Sequence, residues 1–170
     1  MRQQPSPAPA DPSSAAPQAS APAARPGHAA RWHRIRHAAA RYGLVALGSV
    51  IGGVLRAIAS LAIHAHMEAG FPWGTLFVNV TGSFAIGFYA TLTGPEGRLL
   101  VGSRQRQFVM TGICGGYTTF SVFSLETFRL LQAGDLPSAG LNVGVSVVGW
   151  LAAVWLGHRL AMGLNRLKGS

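Results

Sequence analysis

The sequence is poor in the residues that build most catalytic and metal centres. It holds one cysteine, Cys114, and only five acidic residues in a chain of 170. A single cysteine excludes a disulfide framework within the chain and a cysteine-based metal site. The few carboxylates form no cluster in the apolar segments, and neither a Ser–His–acid set nor a phosphate-cradling glycine loop can be assembled. The sequence therefore predicts that the protein is not an enzyme.

Charged residues of both signs are also scarce, at 11%, whereas 49% of the residues are hydrophobic and 22 are glycines. This composition is typical of a membrane protein with closely packed helices. The net charge of +9 raises the question of nucleic-acid binding. However, the basic residues lie in the tails and in one loop, and no basic face is interleaved with aromatic residues. No nucleic-acid partner is expected.

Four apolar runs are long enough to cross a bilayer, which takes about 20 helical residues. They predict an all-α membrane protein with four transmembrane helices, over about 44–65, 73–92, 108–131 and 138–162. The first forty residues are rich in proline and alanine and cannot bury enough apolar surface to fold. The predicted limits are a disordered, basic amino-terminal extension over 1–40, a four-helix domain over 41–165 and a basic tail over 166–170.

The third apolar run contains the sequence GGYTT at residues 115–119. Two adjacent glycines followed by threonines are poor choices for a helix interior. We therefore predict that the third helix is broken at the membrane midplane. Backbone groups freed at that depth are tolerated only where protein or a polar cavity satisfies them, and half-helix ends at the midplane are known to build ion sites.

Polar and aromatic residues inside the apolar runs are the candidate site residues. Asn79 is interpreted either as a residue that forms a helix–helix hydrogen bond or as a donor that lines a pore. Arg56 is either a vestibule residue or a structural arginine that reaches the interface or pairs with an acid, for which Glu126 is the hypothesis. Phe120 and Phe123 share one helix face, which suits a packed core as well as a pore.

Taken alone, these residues indicate a small ion channel or transporter and do not name the ion. Amide and hydroxyl donors favour an anion, which also lies well against the positive edge of a phenyl ring. Carbonyl oxygens at a helix break favour a small cation. A multidrug exporter, the first alternative, would need an acidic residue in the first helix, where none occurs. A non-transporting scaffold, the second, does not explain why Asn79 accompanies the break.

Three motifs follow one another along the chain. They are GGVLR at 52–56, GTLFVN at 74–79 followed by Gly82 and Ser83, and GICGGYTTFSVFS at 112–124. With these motifs, roughly residues 43–165 resemble the Fluc (CrcB-type) family of fluoride channels. The last motif is long and specific. The resemblance implies a passive, fluoride-selective channel of the cell (inner) membrane that exports fluoride from the cytoplasm and so reduces its toxicity.

The resemblance also implies an antiparallel dimer with two pores at the interface and a structural sodium ion at its centre. Main-chain oxygens of Gly115 and Thr118 would hold this Na⁺, which is not transported. Phe120 and Phe123 match the phenyl rings of the fluoride path, and Asn79 matches its amide. The further pore positions are Arg56, near the vestibule, and the hydroxyls of Ser121, Ser124 and Ser146.

Two positions on the fourth helix depart from the family pattern. Asn142 stands where a tyrosine is common, and Trp150 stands where a small hydroxyl is found in the family. The route of the pore past the fourth helix is therefore left open.

The basic residues are distributed unevenly along the four predicted spans. Eleven of them lie near the two termini and the middle loop, and the two loops on the other side hold none. The positive-inside rule therefore predicts that both termini are cytoplasmic. An antiparallel homodimer needs both orientations, so this bias leads to the hypothesis of a heterodimer with an oppositely oriented relative, with the homodimer as the alternative. Membrane lipid is the remaining expected partner.

Overall fold

The computed structural model describes residues 28–67 and 70–167, and every regular element in these two ranges is helical. The elements are α1 (His28–His66), α2 (Trp73–Leu92), α3 (Ser103–Gln107), a π-helical segment (Phe108–Cys114), α4 (Gly115–Tyr117), α5 (Phe120–Gln132) and α6 (Leu136–Arg166). The all-α prediction is confirmed.

Four stretches of the described residues are long and apolar enough to cross a membrane. They are Ala38–His66, Trp73–Leu92, Ser103–Gln132 and Leu136–Arg166. The prediction of a four-helix membrane protein is therefore confirmed, and the bounds of α2 coincide with those expected from the sequence. A break at the midplane of a membrane and an antiparallel dimer stay predictions.

Helix α1 begins at His28, well before the start near residue 44 that the apolar run predicted. Alanine and arginine, which fill much of the preceding stretch, are strong helix formers, and a helix need not stop where the hydrocarbon ends. Helix α1 thus runs through the predicted domain limit at residue 40. The rest of the predicted extension, residues 1–27, and the last three residues of the predicted tail lie outside the described residues.

Close contact between α1 and the third span depends on glycine. A Cβ atom added to Gly52 would lie 2.1 Å from the carbonyl oxygen of Ile113. One added to Gly116 would lie 2.4 Å from the carbonyl oxygen of Ser49. The two backbones therefore touch with no side chain between them, as expected for small residues at helix–helix contacts in membranes.

Helices α2 and α6 meet in the same way. A Cβ atom on Gly157 would lie 2.3 Å from the carbonyl oxygen of Phe84, and one on Gly87 would lie 2.4 Å from that of Val154. By contrast, α5 packs loosely on the rest of the chain. Of its 13 residues, only Phe123 is buried against the described parts of the protein.

Candidate functional site

Two residues with extended backbone angles separate α4 from α5. Thr118 has φ −83° and ψ 159°, and Thr119 has φ −150° and ψ 123°. Thr119 is also the N-cap of α5, because its Oγ1 accepts the backbone N–H of Val122 at 3.2 Å. Threonine is well suited to both tasks, since it is stiff in helices and its hydroxyl satisfies an otherwise unpaired helical N–H group.

The side-chain amide of Asn79, on α2, bonds the backbone of Thr119 at both ends. Oδ1 accepts the Thr119 N–H at 2.7 Å, and Nδ2 donates to the Thr119 carbonyl oxygen at 2.8 Å. Asn79 is only 5% exposed. The interhelical hydrogen bond considered from the sequence is therefore present, while a role for Asn79 in a pore stays a prediction.

These bonds free two backbone carbonyl groups. In a continuous α-helix, Gly115 C=O would accept from Thr119 N–H, and Thr118 C=O would accept from Val122 N–H. Here the first N–H goes to Asn79 and the second goes to the Thr119 hydroxyl. Both oxygens that the family resemblance implies as sodium ligands thus lose their helical partners.

The two oxygens are of the ligand type that a hard cation takes, and the positively charged Arg56 side chain already donates to one of them. Gly115 is exposed, and a Cβ atom added there would meet nothing nearer than the Met110 carbonyl oxygen at 3.9 Å. The Thr118 oxygen accepts one long hydrogen bond, from Arg56 Nη1 at 3.3 Å. One chain therefore offers two main-chain oxygens, and a complete shell needs ligands from elsewhere.

Phe120 and Phe123 have different surroundings despite their shared face. Their ring centroids lie 5.5 Å apart, tilted by 47°. Phe123 is 7% exposed and packs at 75° to the Trp150 ring, 5.0 Å away, whereas Phe120 is 70% exposed. Phe123 is thus held by contacts within the chain, whereas the Phe120 ring is mostly uncovered by the described residues.

A cavity of about 260 Å³ adjoins the two extended threonines. It brings together four of the predicted site residues, namely Asn79, Gly115, Thr118 and Phe120. It also contains Ser83 and Trp150, which were not predicted as site residues. Ser83 follows Asn79 by four residues, so the helical spacing was a signal that could have placed it on the same face.

The remaining predicted hydroxyls lie elsewhere. Ser146 is 1% exposed and donates to Asn142 Oδ1 at 3.4 Å. Asn142 Nδ2 in turn donates to the Thr127 hydroxyl at 2.9 Å, which ties α6 to α5. Ser121 and Ser124 are exposed on α5, and Ser124 donates to the Phe120 carbonyl oxygen at 2.9 Å. None of these side chains lines the cavity around Asn79.

The hypothesis that Arg56 pairs with Glu126 is wrong for the described structure. Arg56 donates instead to the Thr118 carbonyl group, at the end of α4. Glu126 Oε1 accepts from the Thr75 hydroxyl at 2.9 Å, and Oε2 has no hydrogen-bond partner among the described residues. Position along the helices explains the difference, because α1 packs beside α4 and the π-helical segment, whereas Glu126 lies beyond the extended threonines and faces α2.

The region that contains this arrangement matches a known family. The model of the family described as "CrcB-like protein, Camphor Resistance (CrcB)" matches residues 43–158. This range holds the extended threonines, Asn79 and both freed carbonyl groups. The chain belongs to the CrcB family. The family resemblance inferred from the sequence is therefore confirmed.

Several proteins named as fluoride channels are similar to this CrcB-family chain over most of their length. The chain is 62% identical over 136 residues to "Fluoride-specific ion channel FluC 1" of Rhodopseudomonas palustris (strain BisB18), a match that covers 80% of this chain and 96% of that protein. It is 59% identical over 129 residues to "Fluoride-specific ion channel FluC" of Opitutus terrae, covering 76% and 98%.

Membership of the CrcB family also decides two broader predictions. Because the similar proteins are named as ion channels, the prediction that the protein is not an enzyme is confirmed. The family and the four candidate spans likewise confirm a multi-pass membrane protein. Residues 28–42, the first part of α1, precede the matched region.

Proposed function

We propose that this protein is a fluoride-specific channel through which fluoride leaves the cytoplasm passively, so that its toxicity falls. One observation carries the proposal: Asn79 and Phe120 line the same cavity beside an interrupted helix. The names of the CrcB-family relatives, which specify fluoride, support the choice of ion. A passive channel needs no intramembrane carboxylate to couple transport to protons.

The cavity offers fluoride neutral donors in place of water. Asn79 Nδ2 carries two hydrogens. One of them forms the bond to the Thr119 carbonyl oxygen. The second hydrogen and the Ser83 hydroxyl are therefore available to an anion. Phe120 adds a ring whose edge is electropositive. The proposed path is completed by Arg56, Phe123, Ser121, Ser124 and Ser146. Ser146 is buried and bonded to Asn142, so a path that reaches it has to pass these two side chains.

The freed oxygens of Gly115 and Thr118 are the proposed ligands of a structural sodium ion. When bound, this ion would supply a fixed positive charge that holds the helix ends in place. A second subunit related by a two-fold axis would contribute the same two oxygens. The proposed antiparallel dimer is further supported by α5, which leaves Phe120 and most of its surface uncovered.

The composition of the dimer can be tested through the orientation of the chain. The uneven distribution of basic residues supports termini in the cytoplasm and hence a heterodimer with an oppositely oriented relative. Tags at both termini, labelled with a membrane-impermeant reagent in intact cells and after lysis, measure this directly. We expect labelling only after lysis. Equal labelling from both sides would exclude the heterodimer and leave the homodimer.

Fluoride efflux from liposomes tests the function itself. Vesicles that contain the protein and potassium fluoride are diluted into fluoride-free buffer. Valinomycin is then added so that K⁺ leaves together with fluoride, and an electrode records the released fluoride. We expect rapid fluoride efflux without a proton gradient, and no comparable efflux from vesicles loaded with chloride. Absence of fluoride efflux from folded protein, tested alone and with an oppositely oriented relative, would contradict the proposal.

A further inference from the structure

The first part of α1 is not explained by the channel domain. Helix α1 starts at His28, whereas the match to the CrcB family starts at residue 43. Between these points the sequence holds four arginines and no acidic residue. The positive-inside rule accounts for basic residues near a span. It does not account for the large apolar side chains that accompany them.

Those apolar side chains fall on one side of the helix. Trp32, Ile35 and Tyr42 are separated by three and seven residues, which places them along a single stripe at 3.6 residues per turn. They are 63%, 47% and 75% exposed. By helical spacing, Arg34 and Arg41 lie towards the opposite side, Arg36 lies on the flank, and Arg31 lies beside Tyr42 at the edge of the stripe. Arg36 and Arg41 are exposed. The segment is therefore amphipathic, and its apolar stripe is not covered by the described residues.

A membrane surface fits this stripe better than a soluble partner does. Helices with aromatic and aliphatic residues on one face and arginines on the other lie in the interface plane, with the apolar face at the boundary between headgroups and acyl chains. The candidate transmembrane span Ala38–His66 overlaps the end of this segment, so a membrane surface is always adjacent. The excess of positive charge is complementary to anionic phospholipid headgroups.

Gly43 is the point in α1, which is continuous in this structure, at which such a placement requires the helix to bend. It lies between the amphipathic segment and the apolar run, and an added Cβ would meet no described atom within 4 Å. Packing therefore does not require glycine here, while glycine weakens a helix interior. We propose that residues 28–42 form an amphipathic anchor that turns at Gly43 and lies on the anionic phospholipid surface of the membrane that the chain spans.

The full-length protein, reconstituted in vesicles, tests this anchor without reference to fluoride. Vesicles of phosphatidylcholine alone are compared with vesicles of equal parts phosphatidylcholine and phosphatidylglycerol, the same in both leaflets, so the orientation of the chain does not matter. The emission of Trp32 is taken as the difference between the wild type and Trp32→Phe. Brominated acyl chains quench a tryptophan at the acyl boundary, and acrylamide quenches one in water.

We expect phosphatidylglycerol to shift Trp32 emission to the blue and to increase its quenching by bromine about twofold, an effect that high salt reverses. The double variant Arg36→Gln, Arg41→Gln should lose this dependence on phosphatidylglycerol. Arg106→Gln, Arg166→Gln removes the same charge elsewhere and should keep it. Gly43→Ala should stiffen the helix and lower the quenching by bromine.

Two results would overturn the proposal. Equal bromine quenching in neutral and anionic vesicles would show that anionic headgroups are not the partner. Quenching of Trp32 by acrylamide alone, in both kinds of vesicle, would show that the segment projects into water, as expected for a soluble partner. Neither readout depends on fluoride flux, so a failure of the proposed channel function is recorded separately.

Discussion

Asn79 holds both backbone groups of Thr119, with its Oδ1 2.7 Å from the amide nitrogen and its Nδ2 2.8 Å from the carbonyl oxygen. A side chain on α2 thus replaces the partner that a continuous helix would have supplied to the Thr119 N–H. It adds a second donor to the Thr119 carbonyl oxygen, which as the N-cap also accepts the first hydrogen bond of α5. The same bond to the Thr119 N–H frees the Gly115 carbonyl group. The candidate anion and cation sites therefore depend on one amide.

The first prediction is that Asn79→Ala is strongly destabilising. The variant leaves the N–H of Thr119 buried without a partner and removes one of the two donors to its carbonyl oxygen, which costs roughly 1–3 kcal/mol of the free energy of unfolding. Asn165→Ala is the matched control, because Asn165 also bonds two backbone groups, those of Arg98 and Thr91.

Asn165 lies at the end of α6, where water replaces the lost bonds, so its loss should cost less than about 1 kcal/mol. Denaturant titration in micelles, followed by circular dichroism, compares the two variants. Equal losses of unfolding free energy would contradict the special role assigned to Asn79.

Two neighbouring glycines give the second prediction. Gly52→Ala places a Cβ 2.1 Å from the Ile113 carbonyl oxygen, whereas at Gly53 no described atom lies within 4 Å of the added Cβ. Because backbone must move, Gly52→Ala should lower the free energy of unfolding by about 1–3 kcal/mol or more. Gly53→Ala should be neutral or stabilise the helix by up to about 1 kcal/mol. Thermal unfolding in detergent distinguishes them, and a Gly53→Ala loss as large as that of Gly52→Ala would be inconsistent with the packing of α1.

The third prediction separates flux from folding at the two phenylalanines. Phe120→Ile changes a side chain that is 70% exposed in the single chain, so the free energy of unfolding of the monomer in detergent should stay within about 0.5 kcal/mol of the wild type. Fluoride efflux should nevertheless fall at least tenfold, a change of about 1.4 kcal/mol in the barrier. Phe123→Ile should lower both, because it also removes the packing against Trp150. Unchanged efflux in Phe120→Ile, measured by electrode, would remove this ring from the proposed path.

The fourth prediction concerns pH and lies outside the membrane spans. Hydrogen bonds from the side chain and the backbone N–H of Ser138 lower the pKa of Asp135, the N-cap of α6. A lowered folded-state pKa means that Asp135 stabilises the fold above its unfolded pKa near 4, and that this contribution is lost as pH falls through the folded pKa.

Asp135→Asn retains a capping oxygen and does not titrate, which makes it the control. The difference in unfolding midpoint between the wild type and this variant should be constant above about pH 5. Below about pH 4 the stability of the wild type should fall relative to that of the variant. Other acids, including Glu126, titrate in both proteins and cancel. A difference that does not change with pH would show that the cap does not lower the pKa.

Local patterns in the sequence were sufficient for the helical class, the four spans and the poor helix interior at residues 115–119. Apolar run length predicts spans, and glycine followed by threonine predicts a poor helix interior. These patterns say nothing about which groups meet across helices. The bond from Arg56 to Thr118, in place of the pair with Glu126, depends on how α1 packs beside α4.

The same limit applies to burial at the two rings. Helical spacing placed Phe120 and Phe123 on one face, and the structure keeps their rings 5.5 Å apart. What separates a buried Phe123 from an exposed Phe120 is Trp150, which comes from α6 and is distant in the sequence. The early start of α1 was missed for a different reason, since helix propensity continues where hydrophobicity ends.

Helix α5 buries one side chain, Phe123, against the described parts of the chain. Little of its stabilisation is therefore intramolecular, and most must come from lipid or protein that contacts its uncovered face. By mass action, a partner that binds the folded chain stabilises it by an amount that grows with the logarithm of the partner's concentration. The free energy of unfolding of α5, and of the extended threonines that precede it, is therefore set in part by what lies beside the helix in the bilayer.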